Sequence, residues 1–209
     1  MKRWAKVAIG VVAVVAVGYV VATRFNISPW HEVGDKLDEF NGVAVFYNGA
    51  INNVSGRELA KDGYNLGLRY QCVEFVKRYY YERFNHRMPN AMGHAKDFFS
   101  DKIPNGQLNP DRSLLQYRNG EGAAPQVEDL IVFAPWVLNR YGHVAIVSAV
   151  SDDSMEVIQQ NPGPFGSSRE RFPITQRDGF AFVGDGNVVG WLRLDPSPEA
   201  VDARRTSEP

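Results

Sequence analysis

The stretch RYQCVEFVKRYYYERF (Arg69–Phe84) holds the chain's one cysteine at the point where a polar loop gives way to helical spacing. From Cys72 to Phe84 the apolar residues Val73, Phe75, Val76, Tyr79, Tyr80 and Phe84 recur every three or four positions, while Glu74, Lys77, Arg78, Glu82 and Arg83 take the other side. That period predicts an amphipathic helix with one buried face. A cysteine heading such a helix meets unpaired backbone N–H groups and the positive end of the helix dipole, both of which favour a thiolate. With no second cysteine there is no internal disulfide, so the fold must rest on packing. The thiol is then either buried filler or a reactive group.

Outward from this helix the chain divides in two. On the N-terminal side GVAVFYNG (42–49) reads as a strand running into a turn, residues 26–40 as a linker leading into a short helix, and residues 50–70 as polar and irregular. On the other side AMGHAKDFFSDKI (91–103) reads as a second helix closed by Pro104, followed by an Asn-, Gly-, Pro- and Arg-rich loop up to Pro125. After Pro125 the period becomes that of strands, at 129–136, 142–150, 154–161, 169–174 and 186–194. Connections this short join antiparallel neighbours rather than parallel crossovers, which predicts an α+β fold with helices first and an antiparallel sheet after. The chain is 209 residues long, 44% apolar and 22% charged, which suits one globular domain. Its net charge of −1 gives no footprint for nucleic acid. The tail from 196 to 209 is rich in charge and proline and is expected to be disordered.

The first 25 residues differ in kind. Lys2, Arg3 and Lys6 precede an uncharged apolar run from Val7 to Ala22, and Arg24 closes it. At ~1.5 Å per residue a helix from Trp4 to Ala22 reaches roughly 28 Å, enough to cross the hydrocarbon of a bilayer. Three cations before the run against one behind it place the N-terminus inside and the remaining chain outside, as a single-pass protein of the inner membrane with its domain in the periplasm or exterior. The competing reading is a cleaved signal peptide, with Val20 and Ala22 small enough for processing before Thr23. The expected division is therefore 1–25 as anchor or signal segment, 26–195 as the domain, and 196–209 as tail.

A nucleophilic thiol needs a base, and four histidines are available. His31 lies in the linker, and His86 and His94 lie in polar surroundings. His143 instead opens a buried-strand run in YGHVAIVSAV, where a rigid platform would hold it. A helix-heading cysteine with a strand histidine further along the chain is the arrangement papain-like enzymes use for acyl transfer. Gln159, Gln160 and Asn161, one strand later, could each orient the imidazole. On these residues alone, a catalytic pair and a buried structural thiol both remain open. One cysteine and scattered histidines supply no zinc set, and no metal or cofactor is expected.

The strings YQCVEFVKRYY, EDLIVF, GHVAIV, QQN and VVGWLRL, in that order, resemble the CHAP family of cysteine- and histidine-dependent amidohydrolases and peptidases. The likeness is particular to the amidase domains of glutathionylspermidine synthetase/amidase and of trypanothione synthetase, and with GDKLDEFNGVAVFYNG it runs over about residues 33–195. The resemblance implies a papain-like α+β fold with Cys72 as nucleophile and His143 as base. It also implies an oxyanion hole from the backbone N–H of Cys72 and the side chain of Gln71, and a substrate contact from Lys77 in place of an arginine. The family's acidic orienting residue falls on Gln159, and the asparagine two positions beyond it is Asn161. The implied substrate is a small amide or peptide, either glutathionylspermidine-like or a peptidoglycan stem peptide.

Two departures from the pattern stand out. Glu128 replaces a common glycine before Asp129-Leu130 and concerns a turn. Gln159 replaces a glutamate; an amide can hold an imidazole by accepting its N–H, but cannot stabilise the imidazolium by charge. That loss leaves a second reading, a weak or inactive module that binds wall peptide or polyamine conjugates. It also leads to the expectation that Gln159→Glu speeds turnover.

Overall fold

The Val-, Ile- and Phe-rich runs after Pro125 pair through short turns into the middle of an eight-stranded sheet. The computed structural model describes residues 2–137, 139–163, 166–184 and 187–197, so the expected disordered tail lies, from residue 198 on, outside the described residues. The elements in chain order begin with α1 (Lys2–Arg24), β1 (Lys36–Phe40), β2 (Val43–Phe46), β3 (Arg57–Leu59), β4 (Asn65–Leu68) and α2 (Cys72–Phe84). Next come a 3-10 turn (Ala95–Phe98), β5 (Gln107–Asn109), β6 (Leu114–Arg118), β7 (Leu130–Phe133) and β8 (His143–Val150). The last are β9 (Ser154–Ile158), β10 (Arg169–Arg177), β11 (Phe180–Val183) and β12 (Val188–Arg193). The large sheet runs β11-β10-β9-β8-β7-β12-β6-β5, with every neighbouring pair antiparallel. This is the α+β architecture the strand spacing predicts.

Strand alternation gives the sheet two apolar faces. Leu130, Val132, Val144 and Ile146 face α2 and bury Phe75, Val76, Tyr79 and Tyr80. Ile131, Phe133, Ala145 and Val147 point the other way and gather with Phe172 and Trp191. Fully burying one such side chain contributes ~1.5–3 kcal/mol relative to leaving it in water, so this facing of helix and sheet is the main support of the domain. A buried polar clasp adds specificity where β2, α2 and the end of β9 meet. Arg78 Nε donates to Glu74 Oε1 (2.5 Å), Gln160 Nε2 donates to Glu74 Oε2 (2.8 Å), and the Phe46 N–H donates to Gln160 Oε1 (2.8 Å).

Four expectations fail. The short helix expected before residue 40 is strand β1, pinned by Arg169, which donates to Asp38 (2.9 Å) across the fold. Residues 50–70 hold the β3–β4 hairpin. The second helix at 91–103 shrinks to the 3-10 turn, because Gly93 takes φ +111 and Phe99 is already extended. The loop up to Pro125 contains the edge strand β5 and its neighbour β6, and in β6 the period of two is carried by only Leu114 and Gln116. Each miss is a short segment without the long, clean periodicity of a regular element, and only β1 among them is tied chiefly to contacts distant in sequence.

Helix α1 presents its apolar surface outward, and Trp4–Arg24 is long and apolar enough to cross a membrane, a property that a signal sequence shares. Its last turn touches the domain, where the Asn52 N–H donates to the Thr23 carbonyl (3.0 Å).

Candidate active site

Cys72 is the first residue of α2, and Gln71 precedes it in extended conformation (φ −79, ψ 159). The thiol packs against β8 with only 8% of the residue exposed. Its sulfur lies against the backbone N–H of Val144, one residue from His143. Burial pushes the thiol up to about 11, and the backbone N–H groups of Val144, Val73 and Cys72 pull the other way without overcoming it. The thiolate-favouring effect of the helix N-terminus is present, but the resting group is a neutral thiol.

His143 enters β8 through Gly142, which takes φ +74, a left-handed conformation that favours glycine. A Cβ there would stand 2.8 Å from the Phe133 carbonyl oxygen, so the approach that fixes His143 admits no side chain before it. The half-buried imidazole meets Gln159 Oε1 through Nε2 at 2.9 Å. Burial lowers its pKa to about 4, and the Gln159 contact offsets only part of that. Thiol and imidazole are therefore both neutral at rest.

The three polar residues after β9 have separate tasks. Gln159 holds the imidazole. Gln160 stitches the helix start, donating to the Gln71 carbonyl (3.1 Å) as well as to Glu74. Asn161, in left-handed backbone (φ +56), turns away from His143 and donates to Gln71 Oε1 (2.8 Å) and to the Ile51 carbonyl (3.1 Å). Gln71 in turn donates Nε2 to the carbonyls of Ile51 (3.1 Å) and Asn53 (2.6 Å). Both of its N–H donors are thus engaged by the 51–53 turn, and the backbone N–H of Cys72 is the remaining donor of the expected oxyanion pair.

Lys77 does not reach the cleft. It is 1% exposed, and its ammonium donates to the carbonyls of Asn65 and Ala91 (3.1 Å for the latter) beside the Tyr64 ring. With no carboxylate paired to it among the described residues, the ammonium is lowered to about 8, chiefly by burial. Its long stem lets the charge run back along the helix to main-chain acceptors. The substrate contact carried over from the family is therefore corrected to a structural one.

A cavity of about 360 Å³ adjoins the site. Gln159 and Asn161 form one wall, and His31, Lys36, Tyr47 and Asn48 belong to the others. The sequence left His31 in a linker. Its place at this cavity comes from the fold of residues 26–49, which periodicity could not reveal. Ser167 and Glu170, both bonded to Gln159 Nε2 at 3.1 Å, were also missed. Among the described residues no cluster of His, Cys, Asp or Glu could hold a metal ion.

Residues 61–161 match the family model of the CHAP domain. Over 119 residues the chain is 29% identical to trypanothione synthetase of Crithidia fasciculata, covering 57% of this chain and 18% of that protein. Over 142 residues it is 31% identical to glutathionylspermidine synthase of the same organism, covering 62% of this chain and 19% of that protein. The chain thus spans less than a fifth of the length of these curated relatives. Among solved structures it is similar to the wild-type endolysin LysIME-EF1, with a TM-score of 0.37 and 20% sequence identity, covering 68% of this chain and 60% of that one.

Proposed function

We propose that the chain is a cysteine amidase or peptidase, with residues 26–195 as its catalytic domain. The observation that carries the reading is the placement of the Cys72 sulfur at the head of α2, against the residue that follows His143, while Gln159 holds the far nitrogen of the imidazole. With Nε2–H donating to Gln159, the free lone pair is on Nδ1. In acylation Nδ1 takes the thiol proton as the sulfur attacks the amide carbonyl carbon. The C–N bond then breaks, and the imidazolium returns that proton to the leaving amine. Water, deprotonated by the same nitrogen, displaces the thioester, and the thiol is restored with the acid product. The backbone N–H of Cys72 faces the developing oxyanion. Gln159 supports the ring without charge.

Helix α1 serves as a single-pass anchor that leaves the domain outside the membrane. There it meets peptidoglycan stem peptides, whereas the curated relatives point to a glutathionylspermidine-type amide. The test is hydrolysis by the full chain in detergent micelles of each substrate, alongside Cys72→Ala. Product from one substrate alone assigns the class, and wild-type turnover by Cys72→Ala refutes the mechanism. A second reading, a module that binds such amides without cleaving them, is favoured by the buried neutral thiol and the fully engaged Gln71 amide. Binding of either substrate without product supports it.

A further inference from the structure

We propose that Glu170 is a positioning residue for His143, acting through Gln159; the proposal rests on reading Cys72 and His143 as nucleophile and base. Gln159 is 2% exposed and has a polar partner on each side. Its Nε2 donates to the Ser167 carbonyl and to a Glu170 carboxylate oxygen, each at 3.1 Å, and its Oε1 meets His143 Nε2 at 2.9 Å. Turning the amide over would set Oε1 against two acceptors, one of them charged. Glu170 therefore helps decide which end of Gln159 the ring meets. Because Oε1 only accepts, Nε2 must carry the ring proton, and the lone pair is left on Nδ1. The carboxylate missing from position 159 thus stands one hydrogen bond further out.

Strand alternation keeps this carboxylate free for the task. Arg169 and Arg171, its neighbours in β10, pair with Asp38 and Glu156. Among the described residues Glu170 has no ion pair within 4 Å, so Gln159 is not competing with a cation for it. A charged acceptor makes about twice as strong a hydrogen bond as a neutral one, and successive bonds polarise each other.

The test compares wild type, Glu170→Ala, Glu170→Gln and His143→Ala as full chains in micelles. It reads the ¹⁵N signature of the His143 tautomer and the rate at which iodoacetamide alkylates Cys72. Glu170→Ala is expected to mix the two tautomers and slow alkylation about tenfold, the lower end of what outer partners of functional histidines contribute. Glu170→Gln, whose side-chain oxygen still accepts from Gln159, is expected to restore the single tautomer and most of the rate. A Glu170→Ala protein with the wild-type tautomer and rate overturns the proposal, as does a Glu170→Gln protein no better than the alanine variant. If wild type and His143→Ala alkylate equally, the nucleophile–base reading falls, and the tautomer signature alone then decides the role of Glu170.

Discussion

Replacing Gln159 by glutamate is the obvious repair of a site that lacks its carboxylate, and the structure predicts that the repair fails unless Glu170 is changed with it. A carboxylate oxygen at the position of Gln159 Oε1 would lie 2.9 Å from the imidazole Nε2. A unit charge pair ~4 Å apart at an effective dielectric near 20 is worth ~4 kcal/mol, or about three pKa units. That would carry His143 from about 4 to about 7. The second oxygen, however, replaces an amide that now donates to Ser167 and Glu170, both acceptors at 3.1 Å. Two orphaned acceptors and a like-charge contact oppose ionisation of the new carboxyl. The single variant Gln159→Glu therefore gains little, and its turnover should not rise as the sequence alone would suggest. In Gln159→Glu with Glu170→Gln the amide at position 170 can donate to the new carboxylate, and the full shift becomes available. The assay is NMR titration of the His143 Cε1–H, with Cys72 alkylation measured at pH 7. The double variant should titrate near 7 and alkylate at least about tenfold faster than wild type, since each unit of His143 basicity raises the ion-pair population tenfold. A double variant that titrates where the single one does would show that Glu170 does not oppose a carboxylate at position 159.

Two further outcomes follow from the same geometry. Gly190→Ala in β12 would put a Cβ 2.1 Å from the Tyr117 carbonyl oxygen and 2.7 Å from the Phe99 ring. Overpacking against main chain should cost ~2–4 kcal/mol, and a loss of unfolding free energy in urea under about 0.5 kcal/mol would contradict it. Because the imidazole of His143 is held neutral down to about 4, the unfolded chain binds more protons than the folded one between pH 6.5 and 4. Stability is complete above pH 6.5 and falls as pH drops through that window, by about 2 kcal/mol after allowing for partial exposure. Thermal midpoints of wild type should steepen there relative to His143→Gln, and parallel curves would count against it.

The parts of the fold legible in the sequence were those with long, clean periodicity. Helix α2 matches its predicted bounds, Cys72–Phe84, because six apolar residues recur at helical spacing, and β7, β8, β9, β10 and β12 fall within or around the runs read after Pro125. Strands β1, β3 and β5 escaped because their burial comes from partners elsewhere, as Asp38 comes from Arg169. Strand β11 escaped because FAFV shows its alternation only once it is paired with β10. In the candidate site, the placement of Cys72 at the head of α2, of His143 at the start of β8 and of Gln159 just after β9 was legible because each flanks a regular element. The separate roles of Gln160 and Asn161 were not, since adjacent residues in irregular backbone point in directions that spacing does not encode. Lys77 was misread for a related reason: helical periodicity places its Cα on the polar side, but says nothing of where four methylenes carry the charge.

Cys72 as nucleophile is read most directly from the mass of the Cys72 peptide after the full chain is mixed with a cleaved amide and quenched in acid. Wild type should carry an added acyl group on Cys72, strongly reduced in His143→Ala. Turnover with Cys72 unmodified, or acylation that is indifferent to His143, would contradict it.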